Sequence, residues 1–192
     1  WNRNKNKFPV PEIVHLHGNV RVSHCVEHPS YGEHGMICPK CDRELIPSLL
    51  LYPITIKNYS NDFFIKTEWE VLKKGLQQAM TLTIFGYGAP TTDKEAIDIM
   101  SIAWAKEKKI IERVEIIDIK DEEVLWKQWK PFIIRTYLDC HRDFYQSRIA
   151  NYPRRTCEAL LAATFHGQFV ESNPFPLKHN FVELLSWVRP LV

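Results

Sequence analysis

The sequence has no long apolar run, no excess of one charge and no export signal. No apolar stretch among its 192 residues reaches the roughly 18 residues that a membrane-spanning helix needs. The 25 basic and 23 acidic residues are well mixed, and the formal charge of +2 is too small to predict binding to nucleic acid or to a membrane surface. No secretory or lipidation signal is present. These absences predict a soluble, cytoplasmic protein.

Internal repeats and low-complexity segments are also lacking. Apolar residues make up 45% and aromatic residues 12% of the chain, which excludes the disordered class. The length allows one good core with a small appendage. The chain opens Trp-Asn-Arg-Asn-Lys without an initiator Met, which predicts a piece of a longer protein.

Cysteine is scarce, yet three of the five cysteines lie close together. Cys38-Pro-Lys-Cys41 is spaced too tightly for a comfortable structural disulfide, which predicts a reducing environment and a metal. Cys25-Val-Glu-His28 precedes this pair by nine residues, so that each pair can supply two ligands from one tight turn. Four nitrogen and sulfur ligands in this spacing suit tetrahedral Zn²⁺.

This zinc hypothesis has alternatives. His24 and His34 are rival fourth ligands, or the cysteines and histidines are ordinary loop residues. Four protein ligands would close the site, which favours a structural ion over a catalytic one. Residues 19–45 show little hydrophobic periodicity, as expected of an insert that a metal stabilises.

Strand and helix patterns alternate in the remaining sequence. Glu12 to His17 has the period of two of a buried strand and ends at Gly18. A βαβ pattern follows and predicts a parallel sheet with crossover helices. The further predicted elements are a helix over 66–80, a strand over 82–85, a helix over 92–106, a strand over 114–118, a helix containing Trp126 and Trp129, and helices after Pro131.

Two features of this pattern are candidate binding or catalytic positions. The turn Gly86-Tyr87-Gly88, continuing to Thr92, connects a strand to a helix, where backbone amides and the helix dipole can receive phosphate or ribose oxygens. Asp118 ends the next strand, where a carboxylate can bind a ribose hydroxyl. The alternative is that the glycines only form a turn.

His17 is the last residue of the first predicted strand and precedes Gly18. An imidazole at such a position can act as a general base at neutral pH. The alternative is a hydrogen-bonded core histidine.

The order of these motifs resembles the carboxyl-terminal half of a sirtuin-type domain. The resemblance covers roughly residues 12–120. It rests on His17-Gly18, on the pairs Cys25/His28 and Cys38/Cys41, on the strand and turn from Leu82 to Gly88, and on Ile116-Ile117-Asp118.

The resemblance implies an α/β fold and an NAD-dependent activity. A partial Rossmann-like parallel sheet is expected over 1–18 and 46–130 and a small zinc-ribbon insert over 19–45. The helical C-terminal tail over 131–192 lies outside the resemblance and is predicted from the sequence pattern alone. NAD or ADP-ribose is the implied ligand, zinc the structural metal, and fused effector or sensor domains the implied partners.

The resemblance also implies residue roles. His17 matches the histidine that deprotonates a ribose hydroxyl once nicotinamide has left. The turn Gly86-Tyr87-Gly88 and Thr92 match the segment near the nicotinamide ribose and the phosphates, and Asp118 falls near the adenosine ribose.

Two departures from the family bear on which of three candidate functions is favoured. Gly86-Tyr87-Gly88 stands where deacylases have Gly-Thr-Ser, and Leu51-Tyr52-Pro53 stands where they have a Phe-Gly-Glu stretch that pairs with peptide. Pro53 removes a backbone donor. NAD hydrolysis to ADP-ribose and nicotinamide, as in bacterial defence proteins of this kind, is therefore favoured over protein-lysine deacylation. A non-catalytic, zinc-stabilised module for nucleotide sensing or partner binding is the third candidate.

Overall fold

The computed structural model describes residues 12–51, 59, 62–88, 93–106, 111–132 and 138–191. Contacts divide the chain into two compact units. The first comprises Trp1–Gln77 and Pro90–Trp104, and the second comprises Gln78–Ala89 and Ala105–Val192. Within the described ranges, every helix is too short or too polar to cross a bilayer.

The first unit contains a small antiparallel sheet of three two-residue strands. Strand β1 (Ser23–His24) lies in the centre and pairs with β2 (Tyr31–Gly32) on one side and β3 (Ile46–Pro47) on the other. An isolated bridge joins Ile37 to Glu44. Strands this short bury little surface, so other interactions must stabilise this lobe, which we call the Cys/His lobe (residues 23–47).

The rest of the first unit is built on helices α1 (Phe63–Gln78) and α2 (Lys94–Ala105). Apolar residues recur along α1 at helical spacing, and its buried face joins the N-terminal half of α2 in one core. The core residues are Tyr59, Phe64, Ile65, Trp69 and Ala96, with Leu16, Val22, Leu51, Leu72, Ile99 and Met100 packed against them.

Asp62 begins α1 and joins it to the Cys/His lobe. Its carboxylate accepts hydrogen bonds from the Ile65 amide at 3.0 Å, in the manner of an N-cap, and from the Leu49 amide at 3.0 Å. The Ser48 hydroxyl donates to the same carboxylate, which is only 3% exposed. Helix start and β3 end are thus held by one buried side chain.

The predicted strand from Glu12 to His17 is wrong. The structure has no strand there: residues 12–15 are irregular, and Leu16 and His17 form a turn closed by a hydrogen bond from the Gly18 amide to the His15 carbonyl. The backbone groups of this segment bond instead to side chains of α1, with His15 N donating to Glu68 and Leu16 O accepting from the Trp69 indole. These contacts take the place of the backbone hydrogen bonds that a strand would make. An alternating pattern of apolar residues does not show which of the two kinds of contact a segment makes.

The second unit contains a parallel sheet in the order β4-β5-β6. Its strands are β4 (Thr81–Phe85), β5 (Arg113–Ile117) and β6 (Leu138–His141). In register, Thr83 pairs with Glu115 and Glu115 pairs with Asp139. The parallel pairing of β4 with β5, with α2 between them along the chain, confirms the predicted α/β class and parallel sheet.

The helices of the second unit are short. They are α3 (Glu122–Trp129), α4 (Arg148–Asn151), α5 (Thr156–Leu161), which continues as a π-helical turn over Ala162–His166, and α6 (Phe181–Val188). Only helices were expected after Pro131, and β6 corrects that expectation. Leu138-Asp-Cys-His141 alternates between the two faces of the sheet, and four residues are too few for this alternation to be recognised.

Candidate functional site

The side chains of Cys25, His28, Cys38 and Cys41 converge in the Cys/His lobe. Their ligand atoms all lie within 4.8 Å of one another. Cys25 Sγ is 3.6 Å from His28 Nδ1 and 3.7 Å from Cys41 Sγ, and Cys38 Sγ is 3.8 Å from His28 Nδ1. A tetrahedral zinc ion with bonds of about 2.0–2.3 Å places its ligand atoms roughly 3.5–3.8 Å apart. The cluster could therefore bind a metal ion, and its donor set suits zinc.

Two tight turns bring these ligands together. The Cys25 amide donates to the Ser30 carbonyl at 2.9 Å, which closes the turn that carries His28. In the second turn Cys38 N donates to Arg43 O at 2.8 Å, and Asp42 N donates to Cys38 O at 2.9 Å. Asp42 has a φ of 55°, in the left-handed region that Asp tolerates better than most residues.

Local hydrogen bonds stabilise the thiolate form of Cys38. Burial alone would raise the pKa of the Cys38 thiol, but the Lys40 amide, the Ser30 side chain and the Cys41 amide lower this pKa to about 6. At Cys41 the Arg43 amide lowers the pKa, yet burial and the neighbouring sulfurs outweigh it and raise the pKa overall. Deprotonated cysteine is the form that binds metal, so Cys38 is the prepared ligand of the pair.

The two rival histidines have other partners. His34 Nδ1 lies 2.7 Å from Ser23 Oγ and its Nε2 lies 2.7 Å from the Val20 carbonyl, so both ring nitrogens are engaged. His24 is buried, with Nδ1 3.8 Å from the Asp62 carboxylate. Neither belongs to the cluster of four donors.

His17 lies in the first unit with an exposed side chain. Its carbonyl accepts a hydrogen bond from Leu51 N at 2.9 Å, and its ring lies nearly parallel to that of Tyr59, at a centroid distance of 6.3 Å. Burial, with Asp93 and Glu95 nearby, raises the pKa of Tyr59 to about 12, so its hydroxyl stays protonated. Backbone and ring contacts therefore orient His17, and its role as a base stays a prediction.

The glycine turn lies in the second unit, at the carboxyl end of β4. Gly86 has a φ of 67°, a conformation that favours glycine, and its amide donates to the Ile117 carbonyl at 3.2 Å. The Tyr87 ring meets the Trp129 ring edge to face at 5.9 Å. The Gly88 carbonyl accepts from Gln128 Nε2 of α3. The turn is thus held against both β5 and α3.

Asp118 follows β5 at the same edge of the sheet. Its amide donates to the His141 carbonyl at 3.1 Å, and its Oδ1 accepts from the Lys120 amide at 3.0 Å. The Lys120 ammonium reaches the Gly88 carbonyl at 3.2 Å and Gln128 Oε1 at 3.3 Å. A carboxylate, a cation and the glycine turn therefore meet at the carboxyl edge of the parallel sheet.

Sequence reasoning missed Lys120 and Gln128. Lys120 lies three residues beyond the end of β5, a signal that could have been used, whereas Gln128 is recognisable only once α3 is placed. Thr92, Tyr52 and Pro53 lie outside the described residues.

Comparison with known proteins provides no relative. No protein-family model, no curated protein and no solved structure matches the chain.

Proposed function

We propose that the second unit binds the ADP-ribose part of NAD at the carboxyl edge of β4 and β5. The observation that carries this proposal is the contact of Lys120 with the Gly88 carbonyl, beside Asp118. Ligands of parallel α/β sheets bind outside the carboxyl ends of the strands. Here Lys120 supplies a cation for a phosphate oxygen and Asp118 supplies an acceptor for a ribose hydroxyl.

The proposal extends to a partial Rossmann-like domain of sirtuin type with a zinc-ribbon insert. Support comes from the order of the motifs and from the four clustered donors, which fit the zinc site expected of that insert. A bound zinc ion would cross-link the two turns of the lobe. Its role would be structural, because all four coordination positions would be filled by protein ligands.

Cleavage of NAD at the nicotinamide–ribose bond is the reaction this proposal includes. The products of hydrolysis are ADP-ribose, nicotinamide and a proton, with water adding to the ribose carbon from which nicotinamide leaves. The resemblance assigns the base of this reaction to His17.

Titration calorimetry of ADP-ribose into the zinc-loaded chain tests the binding step. Lys120→Ala should weaken binding about 10-fold to 100-fold, because a hydrogen bond to a charged group contributes roughly 1.5–3 kcal/mol. Lys127→Ala, an exposed lysine of α3, is the matched control and should leave the affinity unchanged. Equal affinities for both variants and the unsubstituted chain would contradict the proposal.

Mass spectrometry of NAD incubated with the chain, and with any longer protein that contains it, tests the reaction. Free ADP-ribose formed without peptide supports hydrolysis, and loss of this product in His17→Ala supports the base assignment. O-acyl-ADP-ribose formed only with an acetylated peptide would indicate the deacylase. Binding of ADP-ribose with intact NAD in every sample would indicate the non-catalytic module.

A further inference from the structure

One face of the parallel sheet is polar. Both faces of a parallel sheet are usually apolar, because both are covered. In the second unit only one face follows that rule, with Leu82, Ile84, Val114, Ile116, Leu138 and Cys140. The strand register places the remaining side chains on the opposite face, where Phe85 and Ile117 at the carboxyl end are apolar and the others are polar: Thr81, Thr83, Arg113, Glu115, Asp139 and His141.

Glu115 is the buried centre of this polar face, with 5% exposure. One carboxylate oxygen accepts from the Arg148 amide at 2.5 Å and lies 3.2 Å from His141 Nε2. The other oxygen accepts from Thr83 Oγ1 at 3.2 Å. Arg113 is paired with Asp139 at 2.8 Å. Glu115 therefore accepts hydrogen bonds from an amide and a hydroxyl, and His141 Nε2 lies at ion-pair distance from the same carboxylate.

This arrangement favours one tautomer of the neutral His141 imidazole. An Nε2 lone pair would face the Glu115 carboxylate unfavourably, so the proton is expected on Nε2 and the lone pair on Nδ1. The described part of the chain provides no hydrogen-bond partner for Nδ1, and the side chain is 24% exposed. His141 ends β6, and its carbonyl accepts from the amide of Asp118. His141 therefore lies beside Asp118 at the carboxyl edge of the sheet.

We propose that His141 is a ribose-binding residue, with Nδ1 accepting a hydrogen bond from a hydroxyl of the adenosine ribose, and that Glu115 is its positioning residue. This inference rests on the proposed binding of ADP-ribose at the same edge. The Glu115 carboxylate disfavours the Nδ1–H tautomer, which would turn the acceptor into a donor. Ribonucleotides are therefore preferred over their deoxy forms.

Calorimetry with ADP, 2′-deoxy-ADP and 3′-deoxy-ADP tests this inference. One deoxy form should bind the unsubstituted chain about 3-fold to 10-fold more weakly than ADP, the value of one hydrogen bond. In His141→Phe, which keeps a ring without an acceptor, ADP and the deoxy form that lacks the His141-bound hydroxyl should bind alike, whereas any loss for the hydroxyl that Asp118 accepts should remain. Nitrogen NMR of the free chain should report the Nε2–H tautomer, and Glu115→Gln should alter the tautomer ratio.

The controls separate this inference from folding defects and from the proposed function. Asp139→Asn breaks the neighbouring ion pair on the same face, and His179→Gln changes an exposed histidine of the second unit; both should keep the preference for ADP. His141→Leu, which also lacks an acceptor, serves as a smaller change where His141→Phe does not fold. An Nδ1–H tautomer, or an unchanged preference for ADP in His141→Phe, overturns this inference alone. Equal binding of ADP and both deoxy forms to the unsubstituted chain overturns this inference and the ribose contact of Asp118, while the phosphate contact of Lys120 is still tested by ADP-ribose binding. No binding of ADP-ribose or ADP overturns the proposed function and this inference with it.

Discussion

The Cys/His lobe and the parallel sheet reach their shapes by different means. The lobe has three strands of two residues and a buried cluster of only Cys25, Cys38 and Leu45, with Cys41 packed against it. The sheet has strands of four or five residues and fully buried side chains such as Val114 and Ile116. Burial and backbone pairing can stabilise the sheet, whereas the lobe needs its four convergent ligands. We therefore expect a metal ion bound by these four residues to stabilise the lobe in place of a hydrophobic core.

The largest expected effect is that of removing the metal. Cys38→Ser, or a strong chelator, should abolish stoichiometric zinc binding and unfold the lobe, since structural zinc contributes on the order of 10 kcal/mol to small metal-dependent folds. Hydrogen exchange should rise across residues 23–47 and stay low across β4, β5 and β6. Total zinc is measured by plasma mass spectrometry.

Cys140→Ser is the matched control, because Cys140 lies on β6 and outside the cluster. It should retain one zinc per chain. A Cys38→Ser chain with a full complement of zinc would reject the ligand set, and loss of protection in the sheet as well as the lobe would show that the two regions do not differ as argued.

A smaller effect is expected from the backbone beside His17. Gly18 has a φ of 93°, and a Cβ placed there would lie 2.1 Å from the Leu49 carbonyl oxygen. Gly18→Ala should lower the free energy of unfolding by about 3 kcal/mol, from left-handed strain and the clash with backbone. Denaturant titration followed by tryptophan fluorescence measures the change.

Gly75→Ala is the contrasting variant in the same unit. Gly75 lies inside α1, and a Cβ there meets nothing within 4 Å. This substitution should raise the free energy of unfolding by roughly 0.5–1 kcal/mol. A stability change of the same sign and size in both variants would show that the conformation at Gly18 is not as described.

Helix starts provide the next comparison between the units. Asp62 is buried before α1, and Asn180 before α6 is exposed; the Asn180 side chain accepts from the amides of Val182 and Glu183, which completes a capping box. Asp62→Ala should cost about 2 kcal/mol, because Ser48 and Leu49 also lose their acceptor. Asn180→Ala should cost about 0.5–1 kcal/mol. Thermal unfolding of both variants in the same buffer measures the two losses of stability. A larger loss for Asn180→Ala than for Asp62→Ala would contradict the prediction.

Prediction from the sequence succeeded where local geometry or burial determines both the residue pattern and the structure. The spacing of Cys25, His28, Cys38 and Cys41 identified the donors because tight turns place ligands by local geometry. Helix α1 and strand β5 were found within a few residues of their ends because burial imposes periodicity on them. The domain boundaries expected from the resemblance stay predictions.

Long-range contacts explain what the sequence did not reveal. The segment before His17 bonds to α1 residues that are 53 positions away. Glu115 lies in a strand of apolar residues, and its partners come from β4, β6 and the start of α4. Such pairings depend on how the elements pack, which one sequence does not state. A glutamate within a buried parallel strand was the one local signal of the polar face.

The smallest expected effect is a difference in the labelling rates of the two cysteines in the second unit, Cys140 and Cys157. Burial, with the nearby Glu122 and Asp139 carboxylates, raises the pKa of Cys140 to about 11. At pH 8 its thiolate fraction should therefore lie about two orders of magnitude below that of an ordinary thiol with a pKa near 8.5. Mass spectrometry after brief iodoacetamide treatment should show exposed Cys157 modified first, and Cys140 labelling should increase with pH up to about 11. Equal early modification of both cysteines would show that Cys140 is not shielded. The packing of β6 would then not protect its side chains as the comparison with the lobe requires.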